Sequence, residues 1–107
     1  MAMDFGDMQQ IQRELQEKYQ QKWGGLSPEK GRQLLLWMLC EAGEAAQLIK
    51  HKGDNAIMEE PAVRQAFIEE LCDVMMYFND VCLCYDIKPE VIEKVYHAKH
   101  ERNMHRW

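Results

Sequence analysis

The 107-residue chain has only three prolines and six glycines, and nowhere do apolar and polar residues alternate for long. The missing alternation removes any strand signal. The scarcity of helix breakers leaves long stretches free to stay helical. No apolar run approaches the ~20 residues that a bilayer span requires, so no membrane association is expected. The first ten residues, MAMDFGDMQQ, carry acids and no continuous apolar segment, so no signal peptide is expected either.

Basic charge is also short. Thirteen Lys and Arg stand against eighteen Asp and Glu, a net charge of −5. A general phosphate-backbone binder carries a basic stripe, so no nucleic-acid polymer is expected as partner. A single nucleotide is not excluded, because a divalent metal can supply the positive charge locally. The four cysteines, Cys40, Cys72, Cys82 and Cys84, form no Cys-x-x-Cys pair and fall within apolar helical runs. They read as small buried thiols in a reduced, cytoplasmic setting rather than as a zinc cluster. His97 and His100, with Glu93 and Glu101, lack a third ligand of fixed geometry and read as surface residues.

What is present is helix. Met8, Ile11, Leu15 and Tyr19 recur at three- and four-residue spacing, predicting a first helix over about Asp7–Trp23 that Gly24 and Gly25 stop. Ser27 and Pro28 then supply an N-cap and a first-position proline for a second helix that runs to about Lys52. Residues 53–60 read as the longest connection. Pro61 opens a third helix, and Pro89 a fourth that continues to about Trp107. The expectation is a single all-α domain over 1–107, of the four-helix bundle type. With 47% hydrophobic residues, including eight Met, the chain has apolar mass to spare. Its core is therefore expected to be completed by oligomerisation.

Two acidic pairs break the apolar pattern. On a wheel at ~100° per residue, Glu41 lies between Trp37 and Leu48 on one side and Leu34 and Ala45 on the other. Glu44 sits at the edge of that arc. On the third helix Glu70 and Asp73 border the stripe of Phe67, Leu71, Val74, Phe78, Val81 and Tyr85. An uncompensated carboxylate in such a setting costs several kcal/mol. Two antiparallel helices would let the pairs face each other, and converging carboxylates repel unless a counterion joins them. Hard oxygen ligands without His or Cys select Mg2+ or Mn2+ over zinc. Di-iron carboxylate bundles need a Glu-x-x-His pair on each of two helices, and neither inner helix has one.

Glu41-Ala-Gly-Glu44 and Glu70-Leu-Cys-Asp73 resemble the paired acidic motifs of the all-α nucleoside triphosphate pyrophosphohydrolases of the MazG-like type. The ending Lys99-His-Glu-Arg-Asn103-Met-His-Arg106-Trp107 resembles the K-x-x-x-N-x-x-R close of that family, so the likeness covers about Leu34 to Trp107. The resemblance implies an enzyme that hydrolyses a nucleoside triphosphate to the monophosphate and pyrophosphate, in nucleotide-pool house-cleaning. It also implies Mg2+ held by Glu41, Glu44, Glu70 and Asp73, and a homodimer or dimer of dimers. Glu41, from its apolar setting, is the candidate general base. Lys99, Asn103 and Arg106 are candidates for phosphate or ribose contact, and Trp37 for stacking on the base. The chain departs from the family at Cys40, where a glutamate is frequent, which leaves the number of metal ions open. Two alternatives stand beside this reading: a phosphoribosyl-ATP pyrophosphohydrolase-like enzyme, and a non-catalytic helical interaction module stabilised by a cation.

Overall fold

A computed structural model describes residues 2–107, and among them every regular element is a helix. The elements are α1 (Phe5–Lys18), α2 (Gln20–Trp23), α3 (Pro28–Lys52), α4 (Asp54–Glu59), α5 (Pro61–Cys84) and α6 (Pro89–Met104). None is long and apolar enough to cross a membrane.

Local chemistry sets the ends. Asp4 caps α1 reciprocally with Asp7: the Asp7 backbone N–H donates to Asp4 Oδ1 at 2.8 Å and the Asp4 N–H to Asp7 Oδ2 at 3.1 Å. The helix therefore begins at Phe5, a little ahead of the expected start. Ser27 Oγ accepts the Lys30 N–H, and Pro28 opens α3 where a missing N–H is harmless. Gly53, at φ +85°, ends α3 in a backbone conformation that side chains disfavour.

Three boundaries differ from the sequence expectation. The first helix is interrupted at Tyr19, giving α1 and α2, with the Tyr19 and Trp23 rings 4.7 Å apart across the break. The segment 53–60 is not a plain connection: it forms α4, which packs on α5 and buries Ile57. The last helix stops at Met104, so Arg106 lies beyond it.

α3 and α5 form the main packing unit, with α1 laid against α5. A Cβ on Gly31 would lie 2.6 Å from the Tyr85 ring and 2.9 Å from Cys84 Cβ. The start of α3 thus touches the end of α5, so the two helices run antiparallel. The inner face of α3 carries Gly31, Leu34, Met38, Glu41, Ala45 and Leu48, all buried or half-buried. Elsewhere α3 leaves Leu36 and Leu39 about three-fifths exposed (61% and 60%), and α5 exposes Leu71 and Met75.

α1 does not bury its expected stripe. Ile11, Leu15 and Tyr19 are exposed, and the buried residues are Gln9, Gln12 and Gln16. These amides meet polar groups on the facing chain: Gln9 donates to the Ile87 carbonyl at 3.2 Å and Gln12 to Asp80 Oδ1 at 2.9 Å. The buried hydrogen bonds, not the apolar content of α1, decide which side turns inward. The cysteines also divide: Cys82 and Cys84 are buried as expected, whereas Cys40 and Cys72 are exposed.

Because Gly31 sits where α3 meets Cys84 and Tyr85, Gly31→Ala is expected to destabilise the chain by about 1–3 kcal/mol through overpacking. Urea unfolding measures this, and an unchanged midpoint would show that the helices are not in close approach there.

Candidate metal and ligand site

Glu41 and Glu44 lie one turn apart on α3, and Glu70 faces them from α5. One carboxylate oxygen from each lies within 4.8 Å of the others. Three of the four predicted acids therefore converge. Asp73, one turn after Glu70, stands outside this cluster, and with Glu41 it lines an adjoining cavity. Its charge still acts on both Glu41 and Glu70.

No lysine, arginine or histidine pairs with these acids: the ion pairs among the described residues are Lys88–Asp86 and His105–Glu101. The repulsion appears in the protonation equilibria. Glu41 is pushed up to about 7, first by the Glu70 carboxyl beside it, then by burial, and then by Glu44 and the charge of Asp73. For Glu70 the contact with Glu41 pulls downward, but burial and its neighbours Glu44 and Asp73 outweigh it and leave the group raised. Glu70 Oε2 is buried without any hydrogen-bond partner. An orphaned buried carboxylate oxygen beside two further carboxylates, with no imidazole or thiolate among them, fits a hard divalent cation.

The cavity has a volume of about 420 Å³, within the range of small-molecule sites. Glu41 and Asp73 stand at its acidic end, Trp23, Trp37 and Tyr77 supply aromatic walls, and Asp80, Gln12 and Gln16 add buried polar groups. Trp37 keeps 56% of its surface exposed, so this ring is available to a ligand rather than locked in a core. Burial, followed by the charges of Glu41, Asp73, Asp80 and Glu44, raises the Tyr77 phenol, which remains a hydrogen-bond donor. Burial also raises Asp80, against the opposing hydrogen bonds of Gln12 and Gln16 and the charge of Lys30.

Lys99, Asn103 and Arg106 do not join this cavity. They are exposed, α6 packs only against α1, and the Arg106 guanidinium lies over the Trp107 ring at 5.1 Å. Sequence reasoning missed Gln12, Gln16, Lys30, Tyr77 and Asp80. The legible signal was the set Gln9, Gln12 and Gln16, whose three- and four-residue spacing defines one face of α1.

The chain matches no family model, no curated protein and no solved structure.

Because Glu41 is raised from its ordinary value, the metal-free folded chain binds a proton that the unfolded chain has already released. This contribution to stability is full below about pH 4.5 and is lost as pH rises through about 7. Thermal melting of the metal-free protein should therefore fall over that window and then level off. Added Mg2+ should raise the melting temperature more at about pH 8 than at about pH 5, since the cation competes with protons for the same oxygens. Glu41→Gln should flatten the profile; a melting curve insensitive to both pH and cation would refute the cluster.

Proposed function

We propose that the chain is a MazG-like, Mg2+-dependent pyrophosphohydrolase that converts a nucleoside triphosphate to the monophosphate and pyrophosphate. The carrying observation is the convergence of Glu41, Glu44 and Glu70, without a cationic partner, beside a cavity shared by Glu41, Asp73 and aromatic residues. A hard-cation site next to an aromatic-lined cleft suits a ligand with a phosphate end and a planar end. The paired acidic motifs of the sequence agree with this reading.

In this proposal Glu41, Glu44 and Glu70 hold the cation, with Asp73 completing the acidic wall. When bound, a divalent ion offsets the charge of the acids and of the triphosphate and stabilises the transition state for phosphoryl transfer. Glu41 takes the proton of the attacking water as the water oxygen bonds to the α-phosphorus and the bond to the departing pyrophosphate breaks. Trp37 stacks on the base, and Tyr77 donates a hydrogen bond within the cleft.

The exposed apolar faces of α3 and α5 support assembly into a homodimer or dimer of dimers, which would complete a four-helix bundle. Since α6 does not pack on α3 or α5 of its own chain, Lys99, Asn103 and Arg106 are proposed to reach the phosphates across that interface.

Incubation with a panel of nucleoside triphosphates and Mg2+ should release pyrophosphate. Asp73→Asn and Glu70→Gln should each lower the rate by about a hundredfold or more, as expected when a group that stabilises the transition state is lost. Full activity in both variants would remove the acids from the mechanism. Cation-dependent stability without turnover of any triphosphate would favour a non-catalytic interaction module instead.

A further inference from the structure

The polar groups deep in the cavity are not explained by hydrolysis. Asp80 is buried, with 4% of its surface exposed, and it lies on α5 about two turns beyond Asp73. Gln12 donates to its Oδ1 at 2.9 Å. The nearest candidate counter-ion, Lys30, lines the same cavity, but its ammonium donates to the Trp23 carbonyl and forms no ion pair with Asp80. Gln16 is equally enclosed, at 6% exposure, and its Oε1 has no partner.

A strut holding α1 to α5 needs no such arrangement. The Gln12–Asp80 bond alone would join the helices, and an apolar residue at position 16 would avoid an orphaned buried carbonyl, which is destabilising. A carboxylate has about four acceptor sites, and the amides of Gln12, at 2.9 Å, and Gln16 are the side-chain groups that address Asp80, which leaves acceptor sites over. Gln16 Oε1 and the remaining acceptor sites of Asp80 are therefore buried on the cavity wall without donors of their own. Buried polar groups left in this state point to a partner that arrives from outside.

We infer that Asp80 and Gln16, supported by Gln12, read the exocyclic amino group of a nucleobase, so that cytosine, adenine or guanine is accepted ahead of uracil, thymine or hypoxanthine. The inference rests on the proposed nucleotide site and specifies its substrate class. An amino group supplies two N–H donors to a site rich in acceptors. A keto oxygen in the same place would face a carboxylate and a carbonyl, which is repulsive and leaves both unsatisfied. The aromatic residues Trp23, Trp37 and Tyr77 line the same cavity and offer a planar ring surfaces on which to stack.

Calorimetric binding of nucleoside monophosphates in the presence of Mg2+ tests this without requiring turnover. Deoxycytidine monophosphate is compared with deoxyuridine monophosphate, and deoxyadenosine monophosphate with deoxyinosine monophosphate. The amino member of each pair should bind more tightly by about tenfold to a hundredfold, the range for hydrogen bonds to a charged group. Asp80→Asn, which keeps the shape but can present an amide donor, should abolish or invert that preference. If this variant does not fold, the wild-type comparison decides alone. Equal affinity within the pairs, or a preference for the keto member, overturns the inference.

The two proposals fail separately. Pyrophosphate release with no amino preference leaves the hydrolase and removes base selection. Amino-selective binding without release from any triphosphate does the reverse. Absence of nucleotide binding removes both.

Discussion

Three carboxylates brought together at the seam of α3 and α5, with no basic side chain beside them, impose the main electrostatic constraint on this chain. The seam is otherwise built for close approach, as the contact of Gly31 with Cys84 and Tyr85 demonstrates. A helix pair packed for its own stability would place an apolar residue at position 41, between Met38 and Ala45. Instead Glu41 stands against Glu70 and Glu44, and both Glu41 and Glu70 are raised above the ordinary carboxylate value. The helix pair thus carries unbalanced charge beside a close contact of its backbones, which the proposed divalent cation would offset.

The same preference for polar interiors recurs on α1. Its glutamines face inward, where they reach Asp80 and the Ile87 carbonyl, while Ile11, Leu15 and Tyr19 face out. An apolar exterior over a hydrogen-bonded interior is the opposite of an ordinary amphipathic helix. Together with the exposed leucines of α3, it leaves the single chain short of apolar burial. The buried apolar residues amount to Leu34, Ala45, Ile57, Leu83 and two cysteines. Under the proposed assembly the outward faces become core, and both ends of the ligand cavity stay within one chain. Specificity and metal binding would then belong to the protomer, and stability to the oligomer.

Much of this was legible in the sequence, for identifiable reasons. Pro28, Pro61 and Pro89 mark true helix starts because a missing N–H and a fixed φ suit only the first turn. The acids stood out because Glu41 and Glu70 interrupt apolar faces, and charge on an apolar face has few innocent explanations. The inward face of α1 was not legible, because periodicity says which residues share a side, not which side turns inward. Asp80, on another helix, settles that. The break at Tyr19 has no proline or glycine to announce it, and α4 depends on one buried side chain, Ile57. Asp73 was expected within the cluster, since three-residue spacing puts it on the same face as Glu70. Spacing does not fix reach, and its shorter side chain belongs to the cavity wall.

The order of events in the proposed reaction follows from these charges. A triphosphate is a polyanion, and the cavity wall already carries Glu41 and Asp73, with Glu44 and Glu70 clustered on Glu41 beside it. Neither can approach the other in a site of reduced dielectric until their charge is offset, so cation and nucleotide must enter together or the cation first. The far end of the cavity is free of this restriction, because Asp80 and Gln16 require only neutral N–H donors. Base recognition and cation binding therefore draw on different chemistry within one cleft. The phosphate end responds to pH and metal, the base end to hydrogen-bond pattern. Tyr77 joins the two, since its phenol is raised by Glu41 and Asp73 on one side and by Asp80 on the other. Under the proposal a ligand lacking either end would satisfy only part of this arrangement, whereas a nucleotide with its cation would satisfy both.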